Sequence, residues 1–314
     1  MIPNLASSIT KAASKQTFYT IRFLVDRARV DDAFRAYAYF RWVDDALDAD
    51  AGSRPMLNEV DASRRRAFLE RQKSLLENSY LGEPPRDASL EENMLVELVQ
   101  SDREKNSSLQ TYLRNMMLVM DFDVRRRGRL ISQVELNEYT YWLASAVTEA
   151  LHYFIGQESF TPHDETRYLA VYASHITHML RDTFDDVQAG YFNIPREVLE
   201  ANHIGPQDVH SKANRAWVKS RVQLAREYFE AGRDYFARVQ NPRCRLAGFA
   251  YIARFEWLLD TFERESFYLR PQYSERKRLG TGVRLSWFAL SSMINLRGLV
   301  NLSRPIISQR PGKL

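Results

Sequence analysis

The sequence predicts an all-α protein organised as a single domain, on three observations. Apolar residues recur at three- and four-residue steps through most of the 314 residues, and strand-like alternation is scarce. Turn residues gather only at short breaks: Ala51 to Pro55, Gly82 to Pro85, Gly156 to Pro162, Gly205-Pro206 and Asn241-Pro242. No linker, fixed-period repeat or low-complexity stretch divides the chain, so the expected domain is 1–314.

The breaks set the elements in order. Helices are expected at about 16–28 and 30–48, ahead of the first break, and at 58–78, ahead of the second. Segments 89–101, 107–127 and 132–155 follow, the last stopping at Gly156. Segment 164–188 continues to Gly190, 207–239 lies between the Gly205-Pro206 and Asn241-Pro242 turns, and 243–267 comes next. A shorter helical set is expected near 276–300, with 281–314 as a peripheral helix and tail.

Composition is ordinary for a globular protein, with 45% hydrophobic and 27% charged residues. The net charge of +4 suits an anionic substrate or an acidic membrane surface without specifying either. Arg64-Arg65-Arg66, Arg125-Arg126-Arg127 with Arg129, and Arg276-Lys277-Arg278 read as solvated helix ends and loops. No nucleic-acid-binding signature accompanies them, so no nucleic-acid partner is expected. Cys244 is the sole cysteine, which excludes an intrachain disulfide. The first ten residues lack a secretory pattern, and the best apolar run, Leu285 to Leu302, is too polar to span a bilayer. A cytoplasmic protein is expected, with that run as the candidate for peripheral membrane contact. Phosphate-binding glycine loops, a G-x-S-x-G elbow and paired CxxC motifs are absent from the sequence.

Two aspartate clusters carry the functional signal. Asp44, Asp45 and Asp48 close one expected helix, and Asp182, Asp185 and Asp186 close another. Residues four apart share a helix face, so Asp44 pairs with Asp48 and Asp182 with Asp186. Both clusters sit in apolar surroundings, one after Phe34, Tyr37, Tyr39, Phe40, Trp42 and Val43, the other after Tyr168 to Leu180. Surface acid runs are seldom embedded so deeply. Paired carboxylates repel, and a divalent cation removes the conflict. Magnesium prefers oxygen and binds through one or two carboxylates plus phosphate oxygens. Two such faces meeting across a cavity would cage a magnesium-bound diphosphate, with Arg41 and Arg181 as nearby donors. His175 and His178 share a face with Asp182. A transition-metal site there ranks below hydrogen-bonding histidines, because the Glu-x-x-His pattern of bundle metal sites is not evident.

These residues resemble the squalene/phytoene synthases, the head-to-head prenyl-diphosphate synthases. The family's Tyr-x-x-x-Cys-Arg-x-x-Asp-Asp-x-x-Asp motif is similar to Tyr37-Ala-Tyr-Phe40-Arg41-Trp-Val-Asp44-Asp45-Ala-Leu-Asp48, with phenylalanine in the cysteine position. Its second motif, Leu-Arg-Asp-x-x-x-Asp, matches Leu180-Arg181-Asp182-Thr-Phe-Asp185-Asp186. The trailing Arg-Gly-Arg-x-Tyr-Leu-Pro has become Ala189-Gly190-Tyr191-Phe-Asn-Ile194-Pro195, with both arginines gone. Lys15-Gln-Thr17-Phe18-Tyr19 resembles the family's Ser-Lys-Ser-Phe-Tyr, the Tyr139 to Thr148 stretch its Tyr-Cys-Tyr-x-Val-Ala-Gly-x-Val-Gly, and Tyr251 a cavity tyrosine. The resemblance runs over about 14–280. The family's Gln-x-x-Asn is His175-Ile-Thr-His178 here, which puts metal number or affinity in question.

The resemblance implies a helical bundle around a central apolar cavity. It implies condensation of two C15 or C20 prenyl diphosphates through a cyclopropyl intermediate to a squalene- or phytoene-type hydrocarbon, with diphosphate released. Two or three Mg²⁺ ions would sit on Asp44, Asp48, Asp182 and Asp186. Catalytic roles fall to Tyr37, Arg41, Tyr141, Arg181 and Tyr251; substrate contacts fall to Lys15, Thr17, Phe18, Arg41, His175, His178 and Arg181. Phe18, Phe40, Leu143, Val147, Leu151 and Met179 are candidate tunnel walls. NADPH use is left open, and no fingerprint indicates it. A catalytically silent relative acting in assembly or binding, and a single-substrate terpene cyclase, are the alternatives.

Overall fold

Six of the described helices begin where a short polar side chain takes up a free backbone N–H. The computed structural model describes residues 2–48, 59–156 and 159–273. Its helices are α1 (Ile2–Ala13), α2 (Lys15–Leu24), a 3₁₀ turn (Arg27–Arg29), α3 (Val30–Asp48), α4 (Glu59–Tyr80), α5 (Leu90–Ser101) and α6 (Ser108–Arg126). Then come α7 (Gln133–Phe154), α8 (Leu169–Arg181), α9 (Thr183–Ala189), α10 (Arg196–Asn202), α11 (Lys212–Arg238) and α12 (Pro242–Arg264). Ser14, Ser107, Ser211 and Asn241 cap α2, α6, α11 and α12. Ser89 and Ser132 form reciprocal capping boxes with Glu92 and Glu135 at α5 and α7. Each cap stabilises by about 1 kcal/mol.

The helices close into a ring. α3 packs on α1 and α5, α5 on α4, α4 on α6, α6 on α7, α7 on α8, and α8 on α11 and α12; α12 meets α2, which returns to α3. Tyr39, Met94, Leu98, Phe229, Phe255 and Phe262 are fully buried between them, each contributing about 1.5–3 kcal/mol. Gly232 lets α11 approach α8, where a Cβ would lie 2.7 Å from that of Ala170.

Several expectations need correction. α1 was not expected; its segment lacks a strong sequence signal and is held by Ala6 and Thr10, buried against the core. α10 was also unexpected, and α11 starts only at Lys212, because Ser211 is the capping residue. The single helix expected over 164–188 is two. Asp182, at φ −94° and ψ 6°, ends α8 and precedes α9. The expected helices near 276–300, the 281–314 tail, the Leu285–Leu302 stretch and the third basic cluster lie outside the described residues.

Candidate active site

A pocket of about 500 Å³ opens among the C-terminal ends of α3 and α6, the first turns of α4, and α9. Four carboxylates line it: Asp44 and Asp48 from α3, Asp123 from α6 and Asp186 from α9. Five arginines share the lining, Arg65 and Arg66 from α4 with Arg125, Arg126 and Arg127 at the end of α6.

The carboxylates crowd one another. Burial, then the Asp48 charge, pushes the Asp44 carboxyl up to about 6. Burial, then Asp182, does the same to Asp186, also about 6, against the pull of Arg126 and the Asn193 hydrogen bond. Burial also raises Asp123, although Arg126 opposes it. Burial and mutual repulsion outweigh the arginines that pair with Asp44 and Asp123. Meanwhile Arg65 is only 7% exposed, and its Nε and Nη2 make no hydrogen bond with a described residue. Buried guanidinium donors left open beside crowded acids mark a place for a ligand carrying both signs of charge.

One arginine stitches the acidic helices together. Arg126 donates to Asp123 at 2.6 Å and to Asn193 Oδ1 at 2.7 Å. Asn193 Nδ2 then donates to Asp186 at 2.6 Å. Its guanidinium also lies over the rings of Tyr139 and Tyr191, 4.9 Å from each centroid. α9 ends at Gly190, whose φ of +86° is the left-handed region glycine occupies without strain. That turn lets Gly190 O accept from Gly128 N at 2.8 Å, while Arg127 Nε donates to Ala189 O at 3.1 Å. Arg126 and Arg127 of α6 thus lie against the segment that has lost the trailing motif's two arginines. The expectation that the α4 and α6 arginine clusters are solvated ends is corrected: Arg65 and Arg126 are buried in the pocket lining.

The predicted residues divide among several places. Asp44, Asp48 and Asp186 line the pocket together. Asp182 lines a neighbouring pocket of about 470 Å³ with Arg181, Asp185 and Phe255, and Arg181 Nε donates to it at 2.5 Å. It still acts on Asp186 through its charge. Arg41 is 42% exposed and pairs with Asp44 and Asp45 on its own helix. His175 is buried edge-on to Tyr139, and burial, then His178 and Arg126, holds its imidazole down to about 3. His178 packs edge-on to Phe255 at 4.6 Å. Tyr251 also packs on Phe255, and its hydroxyl shares a 2.5 Å hydrogen bond with Ser174. Tyr37 is half-buried, whereas Tyr141 is 48% exposed beside Tyr168, and neither lines the pocket. Lys15 is exposed; Thr17 is tied to the Ser14 cap, and Phe18 packs on Phe34. Of the candidate tunnel walls, Phe40 and Met179 are buried, while Phe18, Leu143 and Leu151 pack partly buried against the core. Val147 is half-buried.

Asp123, Arg65 and Arg126 were missed. A signal for Asp123 existed: it lies three residues after buried Met120 and three before buried Arg126, on the inward stripe of α6.

Comparison with known proteins agrees with this architecture. Residues 10–280 match the model of the squalene/phytoene synthase family. The chain is similar to the 15-cis-phytoene synthase of Synechocystis sp., at 25% identity over 80% of this chain and 74% of that one. It is also similar to the 15-cis-phytoene synthase of Synechococcus elongatus, at 24% identity over 80% and 81%. In fold it resembles a dehydrosqualene synthase solved with ligand, at a TM-score of 0.70 and 17% identity, over 94% and 97% of the two chains. It likewise resembles squalene synthase HpnC of Alicyclobacillus acidocaldarius, at a TM-score of 0.64 and 16% identity, over 86% and 95%. With the family pattern covering most of its length, an all-α ring beneath it, and Asp44 and Asp48 of α3 meeting Asp186 of α9 at one pocket, the chain belongs to the squalene/phytoene synthase family.

Proposed function

We propose that this protein condenses two prenyl diphosphates head to head in a magnesium-dependent reaction, releasing diphosphate and forming a squalene- or phytoene-type hydrocarbon. The observation that carries this is one pocket lined by four carboxylates and five arginines, with buried Arg65 donors left open. A metal-bound diphosphate meets both needs, cation for the acids and anion for the guanidiniums.

The residues fit magnesium of the phosphate-bridged kind. Among the described residues no group of three or more His, Cys, Asp or Glu side chains is gathered to hold an ion by itself. Magnesium bound through a carboxylate pair and phosphate oxygens needs no such group. Asp44 with Asp48, and Asp186 with Asp182 or Asp123, would hold it. When bound, magnesium neutralises charge on the leaving diphosphate and eases ionisation to an allylic cation. Arg65 and Arg66 bind phosphate oxygens, and Arg126 with Asn193 orients Asp186. Tyr251, fixed through Ser174, presents a ring that steadies a cation by about 0.5–2 kcal/mol. Apolar side chains around Phe18, Phe40 and Met179 keep water from the cation.

A second reading, a catalytically silent relative, is favoured by one observation: Asp182 is paired with Arg181 at the neighbouring pocket. One assay separates the two. The protein is incubated with magnesium and either farnesyl or geranylgeranyl diphosphate, with and without NADPH, and diphosphate release and extracted hydrocarbons are measured. Release with a linear doubled product supports condensation, and the productive chain length names the substrate. A cyclic product from one substrate, or no release with either chain length, overturns it.

A further inference from the structure

We infer that the exposed face of α1–α2 docks on an anionic lipid surface. Tyr19 is 52% and Phe23 71% exposed, one helical turn apart on α2. Their rings lie nearly parallel, 6.1 Å between centroids and 11° between planes. The pair is braced rather than loose: Phe18 packs edge-on to Tyr19 and tilts onto buried Phe34. Lys15, Tyr19, Arg22 and Phe23 stand at helical spacing on α2; Lys11, at the end of α1, reaches over the Phe18 ring at 5.5 Å, and Arg27 opens the 3₁₀ turn that follows α2. All four cations are exposed, and none forms an ion pair with a described residue.

The charge around this face is one-sided. The first 25 residues contain no Asp or Glu. The nearest acids along the chain are Asp26, Asp31 and Asp32. Asp26 accepts from Gly156 N at 2.8 Å and pairs with Arg243, and Asp32 pairs with Arg35. Aromatic side chains framed by unpaired cations are the composition of an interfacial helix, in which rings enter the headgroup boundary and cations meet lipid phosphate. A protein partner of ordinary mixed charge would leave these cations unmatched. None of these residues lines the pocket; Lys15 and Phe18 are also substrate contacts on the family reading, so the variants that test the inference are at Tyr19, Arg22 and Phe23.

The test is co-sedimentation of the full chain with vesicles of phosphatidylcholine alone and of phosphatidylcholine mixed with phosphatidylglycerol. Anionic vesicles are expected to bind at least about tenfold more tightly, an advantage that raised salt erodes. Tyr19→Ser with Phe23→Ser is expected to weaken binding about tenfold or more. Arg22→Glu is expected to do the same through charge alone, which keeps the test decisive if the double variant folds poorly. Turnover in detergent micelles stays at the parent level in each variant. Equal binding to both vesicle types, or unchanged binding in both variants, overturns the inference. So does a dimer by light scattering that the double variant dissolves, since a second copy would then be the occupant.

Discussion

Two charge clusters in this fold obey opposite rules. Near the α7–α8 junction, Arg167 is 3% exposed and spends its donors fully. It pairs with both oxygens of Glu149 at 2.7 and 2.8 Å, and it donates to Thr161, Pro162 O and Tyr235. Glu149 receives Ser108 and Tyr168 as well. Burial works against its charge, yet the Arg167 and Ser108 hydrogen bonds hold its carboxyl down at about 2. In the α3–α4–α6–α9 pocket the acids are pushed up and Arg65 keeps open donors. One cluster is satisfied within the protein, as a structural ion pair must be. The other is incomplete without a ligand, which is how a binding site is kept ready.

The largest effect should separate the two at once. On the proposed reading, Asp48→Asn is expected to cut turnover about a thousandfold, because it would remove a charge that holds the cation against the leaving group. It should leave thermal stability equal or higher, since it also relieves repulsion on Asp44. Steady-state kinetics beside calorimetric melting would measure both, and a large fall in melting temperature would mark Asp48 as structural. Arg167→Met should behave in the reverse way. Leaving Glu149 buried and unpaired costs about 3–5 kcal/mol, read by urea denaturation, while KM for prenyl diphosphate in the surviving folded fraction is unchanged.

Arg65→Ala sharpens the contrast at smaller scale. A guanidinium whose Nε and Nη2 bond no described residue can be removed with little loss of internal hydrogen bonding. Stability should therefore hold, while kcat/KM falls about ten- to a hundredfold through lost phosphate contacts. A variant with parental kinetics and weakened folding would make Arg65 a packing residue.

What was legible in the sequence follows from what is local. The aspartate pairs Asp44/Asp48 and Asp182/Asp186 announce themselves through four-residue spacing, and most long helices through apolar period and serine caps. The break at Asp182 was not legible, because nothing in Leu180-Arg181-Asp182-Thr183 forbids a continuous helix. The ion pair with Arg181, and Thr183 turning back to Met179 O and Leu180 O, accompany the break in space. Nor were Arg65 and Arg126 legible. A run of three arginines near a helix end reads as solvated until the neighbouring helix is known, and here the neighbours are acidic α3 and α9. Asp123 stood between these cases, since its periodicity was visible while its partners, Arg126 aside, came from α7 and across the pocket.

The smallest expected effect is a pH dependence whose sign differs between the clusters. Asp44 and Asp186 titrate near 6 when folded and near the ordinary 3.8 when unfolded. Between those values the folded chain holds more protons, so the metal-free protein loses stability as pH rises from about 4 to about 6. Glu149 does the opposite, about 2 folded against 4.5 unfolded. Its contribution builds as pH rises from about 2 to 4.5 and is complete above that. The Asp44 side chain is 44% exposed, so water screens its share and Asp186 carries more of the slope. Denaturant titrations across this range in the presence of a chelator should show a decline that Asp186→Asn flattens. Magnesium with diphosphate should flatten it too, by adding a cation that holds the crowded carboxylates ionised. A slope equally steep in Asp186→Asn would place its origin elsewhere, and the pocket would then lack the electrostatic strain that distinguishes it from the Glu149–Arg167 pair.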